Sequence, residues 1–265
     1  MTVAFFALTT AVAWSLWLVS RPLPQPVAGI VFLAGVFAPG IVAVALTSRT
    51  SGRQGVVALL RRLIDWDHSP GWYVFAAIFM LAVKLAAAVL HRMAFGSWPM
   101  FGASPIYLML AATFLSTIVG GQAGEELGWR GFALPRLATR LGLGGASILL
   151  GLAWATWHLP LFLIEFPGSD TFGQSFPLYA LQVTAISVTM AWLWASTRGS
   201  LLPVMILHAA VNNTKDIVPS SDPDATNPWG VSRSPVAWLT VLLLWLVAGY
   251  CLRRMRNMKL PAVVP

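Results

Sequence analysis

The chain predicts an all-α polytopic membrane protein of about eight transmembrane helices, on three observations. Hydrophobic residues make up 57% of it and charged residues only 10%, and its mean hydropathy of +0.74 lies far from that of an ordinary soluble domain. Apolar runs of the roughly 17 to 25 residues that cross a ~30 Å hydrocarbon core as helix succeed one another along nearly the whole sequence. These runs are continuous rather than alternating with a period of two, which argues against a β-barrel and leaves helices to carry the fold. Residues 1–265 read as a single integral membrane domain, multi-pass in the cell membrane.

The first span, 2–20, has no basic residue before Arg21. A secretory signal needs a positive leading region, so this segment is read as a retained helix. RPLPQP at 21–26 is a proline-rich turn into the second span, 27–47. The stretch GRQGVVALLRRLIDWD at 52–67 has apolar residues at helical spacing and fits a helix lying in the membrane interface. The third span, 71–90, holds Lys84, for which snorkelling or a local partner is the default expectation.

The fourth span, 104–126, is the least regular, because its apolar run flows directly into GQAGEELGWR. Spans five to eight follow at 142–164, 177–196, 200–217 and 235–252. The segment 219–235 between the last two is a polar loop. The single cysteine, Cys251, rules out an internal disulfide.

Loop charges orient the bundle. Taken alternately, one side receives Arg49, Arg53, Arg61, Arg62, Arg130, Arg136, Arg140, Arg198, Arg253, Arg254, Arg256 and Lys259. The other receives Arg21, Arg92, Lys215 and Arg233. By the positive-inside rule the first side is cytoplasmic, which puts both termini there and requires an even number of spans. Acidic Glu165, Asp170, Asp216, Asp222 and Asp224 then fall outside. The net charge of +8 is accounted for by these orienting loops facing anionic lipid, and no nucleic-acid partner follows from it.

Function rests on the polar residues inside the spans. Only three glutamates occur in the chain, and two of them, Glu125 and Glu126, are adjacent in GEELGWRGF. An ionisable side chain at membrane depth is costly enough to be a functional candidate by default. Arg130, His158, His208 and Asn212 join them in a motif-bearing core of about 104–217. Residues four apart share a helix face, so Glu126 reaches Arg130, Trp154 lies over His158 and His208 over Asn212. Glu125 points about 100° away from Glu126.

An arginine held against one carboxylate keeps it charged and leaves the other free to titrate. The free one suits a general base acting on water, with a histidine to orient that water and the histidine–asparagine pair to receive an oxyanion. Water attack on a carbonyl is the reaction this set fits. Tryptophans 129, 154 and 157 read as packing or interfacial aromatics.

Together, Glu125-Glu126-x-x-x-Arg130, Trp154-x-x-x-His158 and His208-x-x-x-Asn212 resemble the motifs of the CAAX-type intramembrane glutamic endopeptidases. That group also takes in bacterial proteins linked to bacteriocin processing and self-immunity. The resemblance covers about residues 120–213; each motif alone is weak, and three in this order are fairly specific. It implies Glu125 as general base, His158 holding the water, and His208 with Asn212 stabilising the oxyanion. Glu126, Arg130 and Trp154 are then supporting residues. Trp154 stands where the family often has phenylalanine, a change that an aromatic packing role tolerates.

The expected activity is metal-independent endopeptidase cleavage of a peptide or membrane-protein substrate, lipidated or not, as in CAAX or leader processing. No cofactor is expected. Zinc is the nearest rival, since two glutamates and two histidines are potential ligands, although no His-Glu-x-x-His helix or cysteine cluster is present. A proton-coupled transporter and a noncatalytic scaffold or bacteriocin-immunity protein also compete, because intramembrane carboxylates and histidines relay protons as well as catalyse.

Overall fold

The computed structural model describes residues 1–166, 171, 174–220 and 227–262. Asp170, Asp222 and Asp224, expected in external loops, lie outside the described residues. Among the described residues every regular element is helical: α1 (Thr2–Ser20), α2 (Val27–Val36), α3 (Ala38–Arg61), α4 (Pro70–Phe95), α5 (Ile106–Val119), α6 (Gln122–Glu126), α7 (Leu134–Trp157), α8 (Leu159–Leu163), α9 (Phe176–Ser196), α10 (Leu202–Thr214) and α11 (Pro235–Met255). A π-helical stretch, Leu127–Ala133, joins α6 to α7.

Each of the eight predicted apolar segments contains helix, but the count of eight crossings is not reached. Among the described residues five helical stretches are long and apolar enough to span a membrane: 2–20, 70–95, 122–157, 176–196 and 235–255. A sixth arises if α2 and the helix after it, bent by 52°, count as one. The shortfall has a geometric cause. α5 has 14 residues and α10 has 13, about 20 Å each at 1.5 Å per residue, against a core of ~30 Å. The expectation that both termini are cytoplasmic rests on an even count of spans and on Arg130, Arg136 and Arg140 as loop charges.

A second correction concerns residues 127–141. Arg130, Arg136 and Arg140 suggest a loop there, yet the chain stays helical from Gln122 to a break at Gly142 (φ 66°, ψ 167°). Glu125 and Glu126 therefore lie near the start of a helix of their own, not at the end of α5, which stops at Gly120. Arg130 is fully buried in it. Gly52 (φ 59°, ψ −161°) similarly divides α3, and the helical segment expected in 52–67 follows it as the last turns of α3 and a 3-10 turn, Arg62–Ile64.

Glycines dock this motif helix on α3. A Cβ on Gly40 would stand 2.7 Å from the carbonyl oxygen of Gly124, and one on Gly128 would stand 2.5 Å from the Cβ of Pro39. The pair Gly124 and Gly128 flanks the glutamates at the four-residue spacing that lets membrane helices approach backbone to backbone. Around this contact α7 packs on α9, α9 on α11, α11 on α4 and α4 on α10. α10 also touches α5, α6 and α9, which places His208 against the motif helix.

Candidate active site

The motif helix supplies both carboxylates, and their one-residue offset sends them to different partners. Glu126 is fully buried. Its Oε1 and Oε2 accept from Arg130 Nη1 at 2.9 and 3.1 Å, the expected pair one turn apart. Its Oε1 also lies 2.9 Å from Nδ1 of His208, brought in by α10. Helical spacing does not predict this second bond. It makes Glu126 the junction between the first and third motifs rather than a tie within one helix.

Glu125 faces α7, where its Oε2 accepts from the indole Nε1 of Trp154 at 2.8 Å. The same tryptophan fixes the second motif's histidine through its main chain, since His158 Nδ1 sits 2.9 Å from the Trp154 carbonyl oxygen. Trp154 is therefore more than packing. Its indole serves the first glutamate, its carbonyl serves His158, and its ring lies beneath the Arg130 guanidinium, 4.7 Å from centroid to Cζ. The ring of His208 meets it edge-on at 5.0 Å.

These contacts define how the histidines can act. A carbonyl oxygen only accepts, so His158 Nδ1 carries hydrogen and Nε2 holds the lone pair of the neutral ring. His158 is half-buried, with its ring edge-on to Trp157 at 4.6 Å and to Tyr179 at 5.5 Å. An ionised Glu126 likewise only accepts, so His208 Nδ1 donates to it. His208 Nε2 can then donate only when the ring carries both protons, a form whose charge Glu126 faces.

Arg130 keeps two buried donors, Nε and Nη2, without a hydrogen-bond partner among the described residues. The face of Trp154 gives its charge a cation–π contact in place of water. Among the described residues no group of three or more His, Cys, Asp or Glu side chains is placed to hold a metal ion.

Asn212 is exposed and outside this hydrogen-bonded cluster, although it lies one turn beyond the buried His208 on α10. Its neighbour Asn213 is the one that bonds within the protein, donating from Nδ2 to Ser116 Oγ and to the Ala209 carbonyl, both at 2.8 Å. Asn213 thereby links α10 to α5, a role that two consecutive asparagines do not announce. Trp129 and Trp157, each 1% exposed, are core aromatics packed edge to face at 5.7 Å, not interfacial ones.

Comparison with known proteins converges on the same region. Residues 106–214, which contain all three motifs, match the family model described as type II CAAX prenyl endopeptidase Rce1-like. The chain is also 26% identical over 239 aligned residues to the CAAX prenyl protease 2 of Methanococcus maripaludis, an alignment covering 81% of this chain and 83% of that relative.

Proposed function

We propose, from the Rce1-like character of residues 106–214, that this chain is an intramembrane endopeptidase in which Glu125 activates the attacking water. The observation that favours Glu125 over its neighbour is the division of partners. Glu126 is committed to Arg130 and His208, whereas Glu125 accepts an indole hydrogen bond from the residue whose carbonyl anchors His158.

The chemistry follows from those anchors. Glu125 takes one proton from a water whose second hydrogen is accepted by His158 Nε2, and the water oxygen bonds to the peptide carbonyl carbon. General-base help of this kind is worth roughly 10² to 10⁴ in rate. The carbonyl oxygen becomes an oxyanion facing doubly protonated His208 and the amide of Asn212. Glu125 returns its proton to the amine nitrogen as the C–N bond breaks, leaving a carboxylic acid and a free amine. No step in this scheme calls on a metal.

The relative's name points to prenylated CAAX sequences as the substrate class, and the membrane setting suits a lipidated peptide whose chain partitions into the bilayer. With the cationic loops on the cytoplasmic side, as the positive-inside rule expects, such a peptide would meet the protein there. The test is cleavage of a farnesylated Cys-aliphatic-aliphatic-X peptide by purified protein in lipid nanodiscs, in chelator, with the unprenylated peptide beside it. Chelator-resistant cleavage of the farnesylated peptide supports the reading. Activity that is lost in chelator and restored by zinc contradicts its metal-free part, and cleavage of neither peptide contradicts the substrate class.

A further inference from the structure

Lys84 lies near the middle of α4, about 21 Å along the helix from Pro70 and about 17 Å from Phe95 at 1.5 Å per residue. It is 1% exposed and does not snorkel to either end. Its ammonium donates to the Val218 carbonyl at 3.0 Å and to Ser220 Oγ at 2.8 Å. Both acceptors follow α10 and its terminal 3-10 turn, Lys215–Ile217. The adjoining Ile217 carbonyl accepts from the Gly102 amide at 3.0 Å.

Non-helical backbone at membrane depth is tolerated only where protein satisfies its polar groups. α10 ends after 13 residues, and beyond its 3-10 turn the extended backbone at Val218 runs beside the middle of α4, where its buried carbonyl needs a donor. The buried Lys84 ammonium fills that need and ties the segment leaving α10 to α4. His208 lies less than two turns before the end of α10, and Asn212 less than one.

We infer that Lys84 is a positioning residue for the site: it clamps the C-terminal exit of α10 at mid-membrane depth and thereby sets where His208 and Asn212 stand relative to Glu125. The inference about catalysis rests on the endopeptidase reading, whereas the clamp itself is separately measurable. Removing it lets the end of α10 open, lowering the fraction of molecules with the oxyanion groups in place while leaving substrate binding unchanged. The signature is a fall in kcat at constant KM.

Lys84→Met and Ser220→Ala test this by amide hydrogen exchange and by peptide turnover. In Lys84→Met, exchange over 209–218 is expected to quicken by about tenfold or more, the scale of losing charge-assisted hydrogen bonds, with α11 unchanged. kcat should fall about tenfold with KM within about twofold. Ser220→Ala, which removes one acceptor and buries nothing new, should move the same segment by a smaller factor, and it decides the matter if Lys84→Met does not accumulate in membranes. Exchange as slow as wild type in the informative variant overturns the clamp, whatever the peptidase result. Quickened exchange with unchanged kcat overturns the positioning role. If wild type cleaves nothing, the exchange result still stands, so failure of the endopeptidase reading is distinguishable.

Discussion

His208 on α10 and Glu126 on the motif helix meet at 2.9 Å, 82 residues apart in sequence. The same carboxylate holds Arg130, so one buried anion balances a guanidinium and orients an imidazole. Glu126→Gln should therefore act first on stability. It leaves Arg130 fully buried without its countercharge, a loss on the order of 3 to 5 kcal/mol, and frees the His208 ring. The expected result is a large fall in thermal midpoint in detergent, accompanied by loss of turnover.

Trp154 separates a hydrogen-bonding role from a packing one. Trp154→Phe keeps an aromatic ring under Arg130 and removes the indole donor from Glu125. A hydrogen bond to a charged group is worth about 1.5 to 3 kcal/mol, so turnover is expected to fall roughly 10- to 100-fold. Steady-state kinetics at wild-type level would show that the ring alone suffices.

Two neighbouring asparagines should give opposite phenotypes. Asn212 is exposed, and Asn212→Ala should lower kcat by about 10² or more, the scale of losing one oxyanion donor, without moving the melting temperature. Asn213→Ala removes the bond to Ser116. It is expected to cost about 1 kcal/mol of stability with a small effect on kcat. Thermal melts and initial rates on the two variants decide the assignment.

The glycine contact beneath the glutamates predicts a steric effect. Gly128→Ala would place its Cβ 2.5 Å from that of Pro39, and overpacking of this kind costs about 1 to 3 kcal/mol. Gly249→Ala, which meets nothing within 4 Å, is the control and should melt like wild type.

What could be read from the sequence divides along physical lines. Helical spacing alone pairs Glu126 with Arg130 and turns Glu125 away from them, because those relations lie within one helix. His208 reaching Glu126 depends on how α10 packs against the motif helix, which no local pattern encodes. Trp154 offers a usable signal: indole differs from phenylalanine by one donor, and a buried donor beside a carboxylate finds it. The helix over 127–141 is hidden because Arg130, Arg136 and Arg140 resemble loop charges. In the fold, Arg130 is neutralised by Glu126, and Arg136 stacks on Phe132 at 3.8 Å while donating to its carbonyl. Hydropathy finds α5 and α10 as apolar segments, but it does not show that each stops short of a full crossing.

The most direct test of Glu125 as the water-activating group is a paired measurement on Glu125→Gln: cleavage of the farnesylated peptide and the thermal midpoint of the same preparation. Among the described residues Glu125 takes part in no ion pair, and glutamine can still accept the Trp154 indole bond. The account predicts turnover reduced by about 10³ or more with a midpoint close to wild type. A folded Glu125→Gln protein that cleaves the peptide at the wild-type rate would contradict it.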